Sequence, residues 1–372
     1  MSVSSEILAG VSLSLSGRFR LQGQEALNGL KLWVDYATPT LPIRLIVYDD
    51  GSGSAQAKEN VSRLLTRDRV DLLLGPYSSV LAMAVAPIAE AHGKILWNHG
   101  GATDGLYEQG WRHFVSLVSP ASDYLRALPL LVRQRDSEIS RISILHAKAG
   151  SFAAYVACGA AEGAKAAGFE QIHLIPFVSP IEDLAPVLRE VSAGDPELLV
   201  VVGGFPDDVA IVRHRGRLSP VKALVVVAAG HQAIYLEVGD LAEGIIGPSQ
   251  WEPGVSHDNI VGPDSGWFLS EYQARFHQVP GYPAAQAFAA GLVFTECLRR
   301  AGSLEDKPLL EAAHTLDLTT LFGRFRLDRT TGRQVGHQTL LIQWQDGRKR
   351  VIWPEEHAEA ELRYPLSPLK AA

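Results

Sequence analysis

The sequence predicts an α/β protein built on two doubly wound parallel sheets. Three observations carry that prediction. The chain has 372 residues, more than one compact core usually holds, which favours two domains. Short apolar runs alternate with amphipathic stretches in two successive series. The runs are apolar on both faces, as strands are when helices cover a sheet from either side.

The first series opens with a β-type run at Ile7–Leu13, stopped by Ser16-Gly17. Gln24–Tyr36 then places Leu27, Leu30 and Val34 at helical spacing. Ile43–Tyr48 reads as a strand ended by Asp49-Asp50-Gly51, where the Asp side chains can satisfy turn amides. Ser54–Leu65 is a helix with Ser54 as N-cap. Val70–Leu74 is a strand, Val80–Ala91 a helix and Ile95–Trp97 a strand.

The second series runs Ser122–Arg135 helix, Ile142–His146 strand, Ser151–Ala167 helix, Ile172–Phe177 strand, Leu184–Ser192 helix, Leu198–Val202 strand, Pro206–Arg217 helix and Leu224–Ala228 strand. Right-handed crossovers make both series doubly wound. The last third departs from this rhythm. Helices are expected at Trp267–His277, Ala284–Arg300 and Leu304–His314. Gly323–Leu327, Gln338–Trp344 and Arg348–Ile352 then follow as strands, with Thr331-Gly332 and Asp346-Gly347 as hairpin turns.

Composition narrows the function. Hydrophobic residues are 47% and charged residues 20%, which excludes a disordered chain and a coiled coil. The net charge is −7 and no Lys/Arg run occurs, so no nucleic-acid partner is expected. The longest apolar stretches, such as Leu81–Ala89, fall far short of the roughly 18–20 residues a membrane-spanning helix needs. Cys158 and Cys297 lie far apart in helical stretches and read as two buried thiols. The opening MSVSSEILAGVSLSLSG shows no basic region followed by an apolar leader. Either a signal peptide is removed before it or the protein stays in the cytosol.

Motifs for the commoner chemistries are missing. There is no G-x-G-x-x-G after a strand, no G-x-x-x-x-G-K-[ST], no G-x-S-x-G, no H-E-x-x-H and no C-x-x-C. His92 and His99 are too loosely spaced for a metal pair and read as surface or loop residues. No catalytic residue, metal or cofactor is expected. What remains are loops at the carboxyl ends of strands, where open α/β sheets bind ligands. Gly75-Pro76-Tyr77-Ser78-Ser79 opens a helix, and a helix start favours an anion such as a carboxylate. Asn98-His99-Gly100-Gly101-Ala102-Thr103 follows the next strand and offers a second hydroxyl. Two such loops on consecutive strands point to a shared site.

In this order and spacing the chain resembles the type I periplasmic solute-binding proteins, in the branch that covers branched-chain amino acids and amides. The resemblance is carried by Gly10–Gly17 with Gly23 and Asn28-Gly29, by Val70–Ala91, and by Gly239-Asp240-Leu241-Ala242-Glu243-Gly244. Phe322-Gly323 with Phe325 and Asp328, and Trp353-Pro354 with Tyr364-Pro365, extend it to the C-terminus. It implies two lobes joined by a three-crossing hinge, the Venus-flytrap architecture, closing on one ligand. Lobe one would be residues 1–119 plus 247–327, and lobe two 120–246 plus 328–372.

The resemblance also implies positions. Ser78 and Ser79 with Gly101 and Thr103 fall where the family holds a carboxylate or amide head. Gln22, with Arg18 and Phe19 nearby, falls on the first-loop contact. Ser151 and Phe152 fall on a contacting loop of lobe two, and Phe205 on an aromatic wall. Gly230 and His231 fall near a loop that usually supplies an acid to the ammonium of an amino acid. Here Ala228-Ala229-Gly230-His231-Gln232 contains no acid. An ammonium buried without a carboxylate is costly, so this loop points away from an α-amino acid. Phe152, Phe205, Trp251 and Tyr282 could instead wall an aromatic carboxylate or amide.

The resemblance implies a receptor for an ABC permease, periplasmic and not embedded in a membrane, whose ligand is a small amino acid, amide or carboxylate. The alternative is a cytosolic sensor of the same fold that signals to a partner protein; an in-frame signal peptide ahead of Met1 would exclude it. An enzyme with its active site between the lobes is a third reading, which no motif supports.

Overall fold

The computed structural model describes residues 6–218, 221–258 and 260–367. The ends of the two expected lobes, residues 1–5 and 368–372, lie outside them. The chain divides into two compact units: Met1–Pro120 with Gln250–Gln338, and Ala121–Ser249 with Thr339–Ala372.

Unit 1 begins β1 (Ile7–Leu13), α1 (Arg20–Ala37), β2 (Ile43–Asp49), α2 (Ser54–Thr66), β3 (Leu72–Leu74), α3 (Ser79–Ala91), β4 (Leu96–Asn98), α4 (Gly105–Glu108) and β5 (Phe114–Ser116). Its sheet has the order β2-β1-β3-β4-β5 and every pairing is parallel. On one face Val61 and Leu64 of α2 and Leu81, Val85 and Ala89 of α3 pack with Leu73, Leu96 and Phe114 in a closed apolar cluster.

Unit 2 holds α5 (Leu128–Arg135), β6 (Arg141–Ala147), α6 (Ser151–Ala166), β7 (Gln171–Phe177), α7 (Leu184–Ala193), β8 (Leu198–Val202), α8 (Phe205–Arg213), β9 (Ala223–Val226), α9 (Ala233–Val238) and β10 (Ile246–Ser249). The chain then returns to unit 1 with α10 (Ser265–Phe276), α11 (Tyr282–Ala301), α12 (Asp306–Thr315), β11 (Asp317–Thr320) and β12 (Gly323–Arg326). It ends in unit 2 with β13 (Leu340–Gln345) and β14 (Arg348–Trp353). The unit 2 sheet has the order β14-β13-β10-β9-β8-β6-β7, parallel from β6 to β10, with the β13–β14 hairpin antiparallel on its edge. Read from β7 inward, its parallel part repeats the order of unit 1. Each sheet therefore has a switch point, between β1 and β3 and between β6 and β8, where successive helices leave on opposite faces and open a crevice.

On the second face of unit 1, α11 lies along α1. The pair is close enough that a Cβ on Gly29 would come within 2.1 Å of the Ala284 carbonyl oxygen. Trp33 Nε1 donates to Thr295 Oγ1 at 3.2 Å, and Trp97 meets Phe294 edge-on at 5.5 Å.

Several expectations are corrected. The helix expected over 122–135 is a 3₁₀ turn at Ala121–Asp123 and a helix only from Leu128; Pro129, which lacks an N–H, belongs to that helix's first turn. Residues 328–338 stay with unit 1, because Leu327 pairs with Gln334 and Gln334 Nε2 donates to the Leu117 carbonyl at 3.1 Å. Cys297 is buried but Cys158 is exposed, and both thiols are free. His92 is exposed, whereas His99 is fully buried, and burial lowers its pKa to about 4.

Candidate functional site

In unit 1 the candidate residues stand on the loops after β1, β3 and β4. The loop after β1 is pinned from below by two acids. Asp50 Oδ1 accepts from Ser14 Oγ at 2.6 Å, and Asp50 Oδ2 from Ser12 Oγ at 3.2 Å. Asp49 accepts from Leu15 N at 2.9 Å, Gly51 N at 2.9 Å and Ser16 Oγ at 2.7 Å. Burial raises the Asp50 pKa against these bonds. The pinned loop delivers Phe19 to the head of α1, where Ser52 Oγ accepts from its N–H at 3.0 Å. Arg18 is exposed, with its guanidinium 4.5 Å above the Phe19 ring.

Ser78 is the N-cap of α3, yet its hydroxyl caps nothing. It is buried and finds no hydrogen-bond partner among the described residues. Ser79 works differently: its hydroxyl accepts from Ala102 N at 3.0 Å and Thr103 N at 3.1 Å, tying the start of α3 to the loop after β4. That loop is shaped from inside by Asn98, whose amide accepts from Gly101 N at 2.8 Å and donates to Gly101 O at 2.7 Å and Ser116 Oγ at 2.8 Å. Gly101 allows the approach, since a Cβ there would lie 2.5 Å from Ala82 Cβ. Thr103 is fully buried at the end of the loop.

An aromatic arc adjoins this polar group. Phe19 meets Tyr77 edge-on at 6.0 Å, and the Tyr77 hydroxyl lies 2.9 Å from that of Tyr282, the first residue of α11. Burial pushes the Tyr77 hydroxyl up to about 12; the bond to Tyr282 works against that rise and the Glu25 carboxylate adds to it. Gln22 contributes a buried Oε1 with no partner among the described residues. Unit 1 thus links Phe19 to Tyr282 through Tyr77, and Ser79 to the loop of Gly101 and Thr103, with Ser78 between Tyr77 and Ser79 in sequence; no hydrogen bond ties Gln22 Oε1 to the group among the described residues. The Trp251 side chain is 2% exposed, donates from Nε1 to Leu321 O at 3.0 Å and meets Phe268 edge-on. Trp251 is packed in the core of unit 1.

In unit 2 Ser151 and Phe152 open α6 after β6, and Phe205 opens α8 after β8, so they flank that sheet's switch point. Ser151 is exposed; Phe152 is half-buried against Tyr124, 5.3 Å away. Two buried acids brace these loops. Asp207 accepts from Gly204 N at 2.8 Å and Ile181 N at 2.7 Å, and Asp208 from Gly203 N at 3.2 Å and Ala228 N at 2.8 Å. Gly230 and His231 have packing roles. A Cβ on Gly230 would lie 1.9 Å from Pro248 O, and Lys349 Nζ donates to Gly230 O at 3.1 Å. His231 Nδ1 accepts from Ala233 N at 3.1 Å, and burial, with Lys349 adding to it, lowers the ring's pKa to about 4.

Tyr77, Asn98, Asp207 and Asp208 were not singled out as site residues in the sequence. Tyr77 and Asn98 sit inside the two loop motifs, and Pro206-Asp207 one residue into a helix is a start signal that marks the acids. Among the described residues no group of His, Cys, Asp and Glu could hold a metal ion, and no helix is long and apolar enough to cross a membrane.

The chain thus folds as two doubly wound α/β units, each with helix starts at the switch point of its sheet. The chain belongs to the periplasmic binding protein family, whose profile matches residues 6–349. It is 22% identical over 381 residues to Leu/Ile/Val-binding protein homolog 8 of Brucella abortus, covering 96% of this chain and 93% of that protein. The fold is similar to that of a leucine-binding protein from Thermotoga maritima (TM-score 0.82, 17% identity, 93% of this chain and 97% of that one). It is also similar to a solute-binding protein from R. palustris in complex with benzoate (TM-score 0.79, 17% identity, 96% and 100%). A branched-chain amino acid transporter substrate-binding protein from Streptococcus pneumoniae, in complex with isoleucine, has a TM-score of 0.78 at 19% identity, with 97% and 100% coverage.

Proposed function

We propose that the protein is the extracytoplasmic receptor of an ABC importer, capturing a small carboxylate, amide or amino acid and presenting it to a permease. One observation carries this reading: at the start of α3 an unused buried hydroxyl, Ser78 Oγ, stands next to Ser79, which holds the neighbouring loop in place. A helix start with a spare hydroxyl suits an anionic or amide head group. No bond is made or broken; binding favours one conformation of the chain over another.

The aromatic arc of Phe19, Tyr77 and Tyr282 suits a flat ligand body. The absence of an acid in Ala228–Gln232, with Lys349 beside it, supports a ligand without an ammonium group. For an amino acid, Glu25 of unit 1, packed against Gly281 beside Tyr77, is the candidate anionic partner.

A thermal-shift screen of amino acids, amides and aromatic carboxylates tests the proposal, because a ligand that binds only the native state raises the melting temperature. The expected hit is an aromatic or aliphatic carboxylate that still binds Glu25→Gln. A hit that is an α-amino acid and is lost in Glu25→Gln reverses the preference between ligand classes. No shift with any of the three classes removes the assignment.

A further inference from the structure

Three segments carry the chain out of unit 1: one ends at Pro120, one begins at Gln250 and one ends at Gln338. Each bears a polar side chain within a residue of that limit, and Ser119 is hydrogen-bonded to both of the other residues. Ser119 is fully buried and Gln250 is 2% exposed. They pair reciprocally, Ser119 N donating to Gln250 Oε1 at 3.1 Å and Gln250 Nε2 to Ser119 O at 3.3 Å. The Ser119 hydroxyl lies 2.7 Å from His337 Nδ1 and 3.2 Å from the His337 carbonyl. His337 Nε2 faces the Phe322 carbonyl at 3.0 Å, and the ring stacks on Phe322 at 4.4 Å. A carbonyl only accepts, so the proton sits on Nε2 and Nδ1 is left to accept from Ser119. Burial, with His257 adding to it, lowers the His337 pKa to about 4, so the ring is neutral in neutral solution. Three residues earlier, Gln334 binds the Leu117 carbonyl and accepts from Arg326 N and Gly336 N, which ties the first and third segments a second time.

Just beyond the third limit the pattern changes. Thr339 is buried, yet its hydroxyl has no hydrogen-bond partner among the described residues. Polar satisfaction is complete at Ser119 and His337 and incomplete one residue past the limit.

We propose that Ser119, Gln250 and His337 form a knot that makes the three connections leave unit 1 as one rigid base, so that bending is confined to the stretches just beyond it, such as Ala121 and Thr339. Three tethers anchored together can turn about one axis, whereas three that flex separately add open conformations that cannot bind. The knot thereby raises the fraction of molecules competent to close, and apparent affinity scales with that fraction. This rests on the proposed ligand-driven closure; Ser119, Gln250 and His337 are positioning residues and need not touch the ligand.

The test uses two spin labels on the whole protein, one at the exposed Cys158 of unit 2 and one at Glu59→Cys, exposed on α2 of unit 1. His337→Phe keeps the stack on Phe322 and removes both ring hydrogen bonds; His337→Asn keeps a polar atom facing Ser119. Without ligand, His337→Phe is expected to broaden the distance distribution, while His337→Asn stays near the parent. For benzoate or L-isoleucine, whichever the screen shows to bind, His337→Phe should weaken affinity by about threefold to tenfold, in line with a smaller competent fraction. Gln250→Leu, which breaks the reciprocal pair, gives the same reading if His337→Phe fails to fold. An unchanged distribution in a folded variant of either kind overturns the knot. Because that arm needs no ligand, it stands apart from the screen: binding with unchanged distributions defeats the hinge proposal alone, and no binding at all defeats the receptor reading alone.

Discussion

Ser78 and Ser79 are adjacent in sequence and opposite in duty. Ser79 Oγ is the acceptor for two backbone N–H groups, so Ser79→Ala strands both donors and should cost about 1–2 kcal/mol of stability. Ser78 Oγ serves nothing within the described residues, so Ser78→Ala should leave the denaturation midpoint where it is and weaken ligand binding by about 1–3 kcal/mol. Urea unfolding together with calorimetry separates the two; equal stability losses would show that Ser78 has a structural partner after all. Both serines were readable from the sequence, because a hydroxyl pair at a strand-to-helix turn follows from local spacing. Trp251 was not, since whether an aromatic meets a ligand or a core depends on which helix packs over it, here α10 through Phe268.

Among the elements, the C-terminal tail shows how an irregular segment is held. Gln343 and Gln345, buried on β13, use their amides as a clasp. Gln343 donates to Arg363 O at 2.9 Å and accepts from Arg363 N at 2.8 Å, and Gln345 donates to Glu361 O at 2.8 Å. Tyr364 then donates to Asp136 Oδ2 at 2.6 Å, beside Lys222 Nζ at 2.9 Å, and Leu366 N reaches Lys222 O. The Tyr364 hydroxyl, followed by Lys222, holds the Asp136 carboxyl below its usual range. Tyr364→Phe should lower stability by about 1 kcal/mol and speed amide exchange in the tail first. Exchange that rises uniformly over unit 2 would refute the clasp. The long helices, with apolar residues at helical spacing, were legible in the sequence. The three-residue strand β5, the one-turn helix α4 and the strand β11 were not. Segments so short carry no periodicity, and only their pairing partners make them elements.

For the whole molecule, acidity enters through opposing groups. Burial raises Asp208 to about 7; the bonds from Ala228 N and Gly203 N work against that rise, and neighbouring Asp207 adds to it. Its folded pKa lies above the unfolded one, so between roughly pH 4 and pH 7 the folded state keeps a proton the unfolded chain has released, and this group's contribution to stability falls as pH rises. Glu90 has the opposite sign. Burial raises its pKa, but the bonds from His113 N at 2.8 Å and His113 Nδ1 at 3.0 Å outweigh that and leave it lowered, so its stabilisation is lost as pH falls through the folded value. Asp208→Asn should therefore flatten the stability difference between pH 5 and pH 8 in urea titrations. A variant with the same pH slope as the parent would show that Asp208 is already ionised when folded.

Local order was settled along the chain: alternating apolar runs and helical faces specify strands, helices and the parallel winding of two sheets, because periodicity and capping act between near neighbours. Which polar atoms stay unused, which acids brace which loops, and that residues 328–338 stay with unit 1 came from the tertiary structure. Asp208 takes a bond from Ala228, 20 residues away, His337 one from Ser119, 218 residues away, and Ser78 finds no partner among the described residues; no spacing rule reaches that far.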